Sequence, residues 1–166
     1  MSMGIIIRDL KINDWKQISE IYILGIETGY ATFEITVPSW EEWNKRHLTI
    51  CRLGAEINNE LVGWAALIPV SSRDAYKGVA EVSVYVSTAQ LGKGIGTKLL
   101  SELINESEKA GIWTLQASVF PENTASIKLH ISCGFREVGF RKKIGMLNGK
   151  WRDTVLFERR SKITGI

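Results

Sequence analysis

Histidine, cysteine and proline are scarce in this chain, with two, two and three copies in 166 residues. His47 and His130 lie far apart, and Cys51 and Cys133 form no Cys-x-x-Cys pair, so a zinc site lacks its ligands and no metal is expected. Two reduced thiols packed in the interior are the expectation instead. An excess of one charge is missing too. The 21 Lys and Arg residues against 18 Asp and Glu leave a net charge of +3, too little to argue for a nucleic-acid partner. No stretch approaches the roughly 20 apolar residues of a membrane helix. Ile5-Ile6-Ile7 is followed at once by Arg8-Asp9, which rules out a signal-peptide core. Repeats, low-complexity tracts and linkers are absent. What remains is a balance of 45% hydrophobic and 23% charged residues, the mark of one globular domain over residues 1–166, expected in the cytoplasm.

The patterning alternates between the two regular periods. Ile5–Ile7 reads as a short strand, and Asn13 as the cap of a helix presenting Trp15, Ile18, Tyr22 and Gly25 on one side. Ser39-Trp40-Glu41-Glu42 has the form of a capping box. Strands over 50–56 and 61–68 are joined at Asn58-Asn59, and Ser71–Gly78 is a polar loop before the β-branched run Ala80–Val86. A helix rich in leucine and isoleucine then runs to Gly111, a strand covers Thr114–Val119, and a helix begins at Asn123. Two last strands flank Asn148-Gly149, the strongest hairpin signal in the chain. The order predicts an α/β domain around a mixed, mostly antiparallel sheet flanked by helices.

The most informative segment is Gln90-Leu91-Gly92-Lys93-Gly94-Ile95-Gly96-Thr97, placed between a strand and a long helix. Alternate glycines let the backbone approach a ligand. The free N–H groups of the helix start, with its dipole, then form an anion site suited to a pyrophosphate, and Lys93 and Lys98 add charge. The order Gly96-Thr97-Lys98 fails the Walker A pattern. A dinucleotide fold would carry the glycines after an early strand, whereas here half the chain precedes them.

This segment resembles motif A of the GCN5-related N-acetyltransferases, with Gly94 and Gly96 at its small positions and Leu91 in place of the usual Gln or Arg. Asn123-Thr124-Ala125-Ser126-Ile127-Lys128-Leu129-His130, followed by Gly134-Phe135, is similar to the superfamily's next conserved block. Ala31-Thr32-Phe33-Glu34, Arg73-Asp74-Ala75-Tyr76, Glu81–Val86 and Gly149–Asp153 are similar, in this order, to the phosphinothricin and methionine sulfoximine acetyltransferases over nearly the whole chain. The resemblance implies acetyl-CoA as cosubstrate, with the amides of Gly92, Lys93, Gly94, Ile95, Gly96 and Thr97 on its pyrophosphate. Val84, Tyr85 and Val86 would lie along the pantetheine arm, and Asn123 and Ser132 beside it. Asn123 is equally a good helix N-cap. His130 stands where many relatives carry a tyrosine that protonates the leaving thiolate; a packed histidine with a satisfied ring nitrogen is the other reading. By the same resemblance Thr32, Phe33 and Glu34, with Arg73, Asp74, Ala75 and Tyr76, enclose a small amine substrate, and the protein is a homodimer with Lys150 and Trp151 near the subunit boundary.

Glu81 can be argued from the residues alone. Val82, Val84 and Val86 alternate with Glu81, Ser83 and Tyr85, so the carboxylate shares the opposite strand face with a hydroxyl and a phenol. An amine substrate arrives as an ammonium and must lose a proton before attacking a thioester. A partly desolvated glutamate suits that task. Arg73 offers a guanidinium fork for a substrate carboxylate. The expected reaction is acetyl transfer to an amino-acid-like amine. Acetylation of protein N-termini or polyamines, or acyl-CoA sensing without catalysis, are the alternatives.

Overall fold

The computed structural model describes residues 4–166. Strand β1 (Ile6–Asp9) leads through a single 3-10 turn into α1 (Trp15–Glu27). The cap expected at Asn13 is not made. Arg8 instead holds the Asp14 carboxylate through Nη1 and Nη2 at 2.8 and 2.9 Å while its Nε reaches Glu56 at 2.7 Å. Asp14 also accepts from Lys11 N–H at 2.7 Å, so the entry to α1 is fixed by contacts within the preceding six residues. α2 (Trp40–Arg46) opens on the expected capping box, Glu42 N–H donating to Ser39 Oγ and Ser39 N–H to Glu42 Oε2.

β2 (Leu53–Ile57) and β3 (Glu60–Pro69) form a hairpin whose turn residues, Asn58 and Asn59, both have positive φ, as a type I′ turn requires. β4 (Val79–Val86) precedes α3 (Ile95–Lys109), which ends at Gly111 in the left-handed region. β5 (Thr114–Val119), α4 (Thr124–Ser132), β6 (Arg136–Leu147) and β7 (Lys150–Arg160) complete the chain, the last two turning at Asn148-Gly149. Cys51 and Cys133 are both free and half-buried.

The seven strands form one sheet in the order β1-β2-β3-β4-β5-β7-β6. Every neighbouring pair is antiparallel except β4 and β5. One face buries Leu99, Leu100 and Leu103 of α3 against Ala65, Leu67, Ala80, Leu115 and Phe157. The other packs Ile18, Ile21 and Tyr22 of α1 and Trp43 of α2 against Trp64 and Ala66. Val82, Val84 and Val86 join the first cluster and Tyr85 the second, the alternation read from the sequence.

The parallel pair creates the opening. β4 has eight residues, yet only Val79, Ala80 and Glu81 pair with β5, against Thr114, Leu115 and Gln116. Beyond Glu81 the strands part. The wedge lies at the carboxyl ends of two parallel strands, where α3 and α4 begin, the position at which open α/β sheets receive ligands.

Candidate active site

A cavity of about 290 Å³ occupies the wedge and reaches through to the α1–α2 side of the sheet. Glu81, Ser83, Val84 and Tyr85 of β4 form one wall, and Ser118, Val119 and Phe120 form the facing one. Asn123, Ser126 and His130 of α4 close one side, and the segment 30–34 with Trp43, Arg46 and His47 closes the other.

Glu81 is half-buried at the fork where pairing stops. Its Oε2 accepts from Gln116 Nε2 at 3.1 Å and Ser118 Oγ at 3.4 Å. Both donors come from β5, so the carboxylate is held through one oxygen, Oε2, at the cavity wall. Tyr85 lies further along the same face, stacked on Trp64 at 4.7 Å and edge-on to Tyr22 at 4.8 Å. Its ring fits because residue 25 is glycine: a Cβ there would meet the ring at 2.8 Å. Burial pushes both phenols above their ordinary pKa, so both stay protonated at neutral pH.

His130 is only 5% exposed. Its Nδ1 lies 2.7 Å from the Ser126 carbonyl oxygen. A carbonyl only accepts, so Nδ1 carries the proton, and burial lowers the pKa and keeps the ring neutral. Nε2 then holds a lone pair, and it is buried without a partner. Thr154 Oγ1, also at the cavity, is buried and unpaired as well. Asn123 does two things at once: Oδ1 accepts from Ser126 N–H as the α4 cap, and Nδ2 donates to the Tyr30 carbonyl.

The segment 30–34 is pinned by the final hairpin. Arg152 Nη1 donates to the Gly29 carbonyl at 2.9 Å, and Phe33 packs edge-on to Phe120 at 4.8 Å. Gly145 of β6 leaves space for that ring, since a Cβ would stand 2.8 Å from it. Glu34 Oε1 accepts from Arg46 Nη1 at 2.6 Å, which joins the segment to α2.

α3 is capped by Gly94, whose φ of 76° is left-handed, as is the 77° of Gly92. The first helical bond runs from Lys98 N–H to Gly94, so the amides of residues 95–97 have no acceptor inside the helix. A Cβ at Gly92 or Gly94 would meet nothing within 4 Å, so the cradle is open toward solvent. Lys93 is tethered to Gln90 Oε1 at 2.7 Å. These free amides suit an anionic group such as a pyrophosphate.

Eight of the residues anticipated from the sequence meet here. Thr32, Phe33, Glu34, Glu81, Val84, Tyr85, Asn123 and His130 line the cavity, whereas Gly92 to Thr97 lie outside its lining, at the start of α3. Val86 packs into the α3 core. Ser132 is exposed, with its hydroxyl on the Leu129 carbonyl, away from the cavity. Arg73, Asp74, Ala75 and Tyr76 also fall outside the lining, on an exposed turn where the Arg73 guanidinium lies over the Tyr76 ring. Sequence reasoning missed Tyr22, Trp43, Arg46, Ser118 and Thr154. Tyr22 had registered only as a core face, and Arg46 carries no local signal beyond a charge at the end of a short helix.

A wedge between diverging parallel strands, free amides at a helix start and a hydrogen-bonded carboxylate suit acetyl-CoA-dependent N-acetyl transfer, and the relatives of the chain carry that activity. Residues 15–135 match the acetyltransferase (GNAT) family, and the chain belongs to it. It is 36% identical to a phosphinothricin N-acetyltransferase of Alcaligenes faecalis over 160 residues, covering 92% of this chain and 81% of that one. It is 37% identical to an L-methionine sulfoximine/L-methionine sulfone acetyltransferase of Salmonella typhimurium over 106 residues, 64% of this chain and 62% of that one. Among solved structures, a phosphinothricin acetyltransferase of the superfamily from Sinorhizobium meliloti, in complex with acetyl-CoA, superposes with a TM-score of 0.88 at 32% identity, over 98% of this chain and 91% of that one.

Proposed function

We propose that the protein acetylates the primary amine of a small amino-acid-like molecule bearing a carboxylate, by direct attack on acetyl-CoA in a ternary complex. The observation that carries this reading is Glu81, a cavity-lining carboxylate held by Gln116 and Ser118 through Oε2 at the fork of β4 and β5. The similarity to phosphinothricin and methionine sulfone acetyltransferases supports the substrate class.

Bound acetyl-CoA supplies an acyl group activated as a thioester. Glu81 takes the first proton from the substrate ammonium, directly or through a water. A β4 amide near Val84 donates to the thioester oxygen as negative charge develops there. His130, protonated on Nδ1, offers its Nε2 lone pair to the second proton of the attacking nitrogen and passes it to the departing sulfur. The balance closes: a C–N bond forms, the C–S bond breaks with its pair on sulfur, one proton reaches sulfur through His130, and the Glu81 proton returns to solvent. Cys51 and Cys133 both lie outside the cavity lining, in keeping with transfer without a covalent enzyme intermediate. The same reading places the enzyme in the cytoplasm as a homodimer.

Thiol release from acetyl-CoA with methionine sulfone as acceptor tests this. Glu81→Gln should lower kcat by about 100-fold or more, while calorimetry shows acetyl-CoA binding retained. Full turnover of that variant at neutral pH removes Glu81 as the base. Acetylation of a peptide N-terminus alone overturns the substrate class.

A further inference from the structure

Thr154 lines the cavity, yet it is only 3% exposed and its Oγ1 is buried without a hydrogen-bond partner. A hydroxyl held that way costs stability, and a valine would fill the same space without the cost. Strand register fixes where this hydroxyl stands. Ser118 pairs with Leu156 and Val119 with Val155, and both of these valines pack in the α3 cluster. Their neighbours Ser118 and Thr154 therefore turn to the other face of the sheet, the face of Glu81 and Tyr85. There Thr154 is the diagonal neighbour of Ser118, about 7–8 Å away between Cα atoms. Ser118 Oγ in turn lies 3.4 Å from Glu81 Oε2. Arg152 comes one step further along the same face, its guanidinium 4.3 Å from the centre of the Phe120 ring and its contact with Glu122 a long 3.4 Å. The face thus runs from a carboxylate, past two hydroxyls, to a guanidinium.

Building on the amino-acid reading above, we infer that the Thr154 hydroxyl donates to the α-carboxylate of the acceptor and so makes the enzyme select an α-amino acid over a simple amine. A single carbon separates amine from carboxylate in such a molecule. With its nitrogen beside Glu81, its carboxylate lies toward Thr154, and the zwitterion follows the direction of charge along the face. Other donors are placed less well for this task. Arg73 stands on an exposed turn outside the lining, and Arg46, the only lysine or arginine among the described lining residues, is bonded to Glu34 at 2.6 Å. A step from one staggered χ1 rotamer to another turns the hydroxyl to its ligand. The empty enzyme carries an unpaired hydroxyl, and the bound acceptor satisfies it.

The test compares kcat/KM for L-methionine sulfone with that for methylsulfonylpropylamine, the same molecule without its carboxylate, in wild type, Thr154→Val and Thr154→Ser. Wild type should prefer the amino acid. Thr154→Val should lower the amino-acid-to-amine ratio by about tenfold, mainly through KM for the amino acid, and Thr154→Ser should recover most of it. Without acceptor, Thr154→Val should melt no lower than wild type, because the hydroxyl it loses has no partner in the fold. An unchanged ratio in Thr154→Val, or an equal loss on both acceptors, overturns the role of the hydroxyl while leaving amino-acid acetylation standing. A valine variant that melts well below wild type overturns it too, since the hydroxyl then serves the fold. A wild type that acetylates neither acceptor, or the amine alone, overturns the amino-acid reading itself, and this inference with it.

Discussion

At the scale of single residues, the site depends on groups whose protonation is fixed by burial. His47 is the clearest outside the chemistry. It stacks on Trp43 at 4.3 Å, and its Nδ1 donates to the Trp43 carbonyl at 2.8 Å. Burial holds its pKa down to about 4, against an ordinary value of 6.5. Between those two values the unfolded chain takes up a proton that the folded chain refuses. Its contribution is therefore whole above pH 6.5 and drains away as the pH falls toward 4, by up to about 3 kcal/mol. His130, lowered for the same reason, acts in the same direction. Urea denaturation at pH 7.5 and pH 4.5 should show this loss, and His47→Gln should reduce the difference between the two. The sequence offered His47 only as a ligand too isolated to bind metal. That it lies beneath α2, between two tryptophans, follows from packing that no local pattern encodes.

Among the elements, the helix starts divide into those a capping pattern announces and those it does not. The Ser39 capping box and the two Asn-containing hairpins are short-range hydrogen-bond chemistry, and each forms where its residues stand. Asn13 looked like a cap by the same logic, yet the position before α1 is taken by Asp14, whose carboxylate is held by Lys11 N–H and by Arg8, 6 residues back, which a capping pattern ignores. The start of α3 matters most for function. Gly94 holds a left-handed conformation there. A side chain at that position costs about 1–2 kcal/mol, although the space around it is open. Gly94→Ala should therefore fold with a modestly lower thermal midpoint. Relaxing the strain turns the free amides away from their ligand, so calorimetry should show weakened acetyl-CoA binding. Stability lost with affinity intact would remove these amides as the pyrophosphate cradle.

For the molecule as a whole, the outermost strand bears on assembly. β6 ends the sheet with Val138, Phe140, Ile144 and Met146 exposed, and Trp151 of β7 is exposed beside them. Such an edge invites covering. Sedimentation should give twice the 18.6 kDa chain mass, and Phe140→Lys with Ile144→Lys should move the equilibrium toward the monomer; a monomer at micromolar wild-type concentration would end the homodimer reading. Sequence alone determined the alternation that turns Glu81 and Tyr85 to one face, the glycine-bearing helix start, and the order of strands and helices. These rest on periodicity and on backbone conformations only certain residues adopt. Tertiary structure decided the rest. The parting of β4 and β5 after three rungs, the arrival of Arg46 and Trp43 at the cavity, the exclusion of Arg73 from it, and the unpaired Nε2 of His130 all depend on how distant segments pack. Local propensity carries no information about which remote side chain will occupy the space a diverging sheet leaves open.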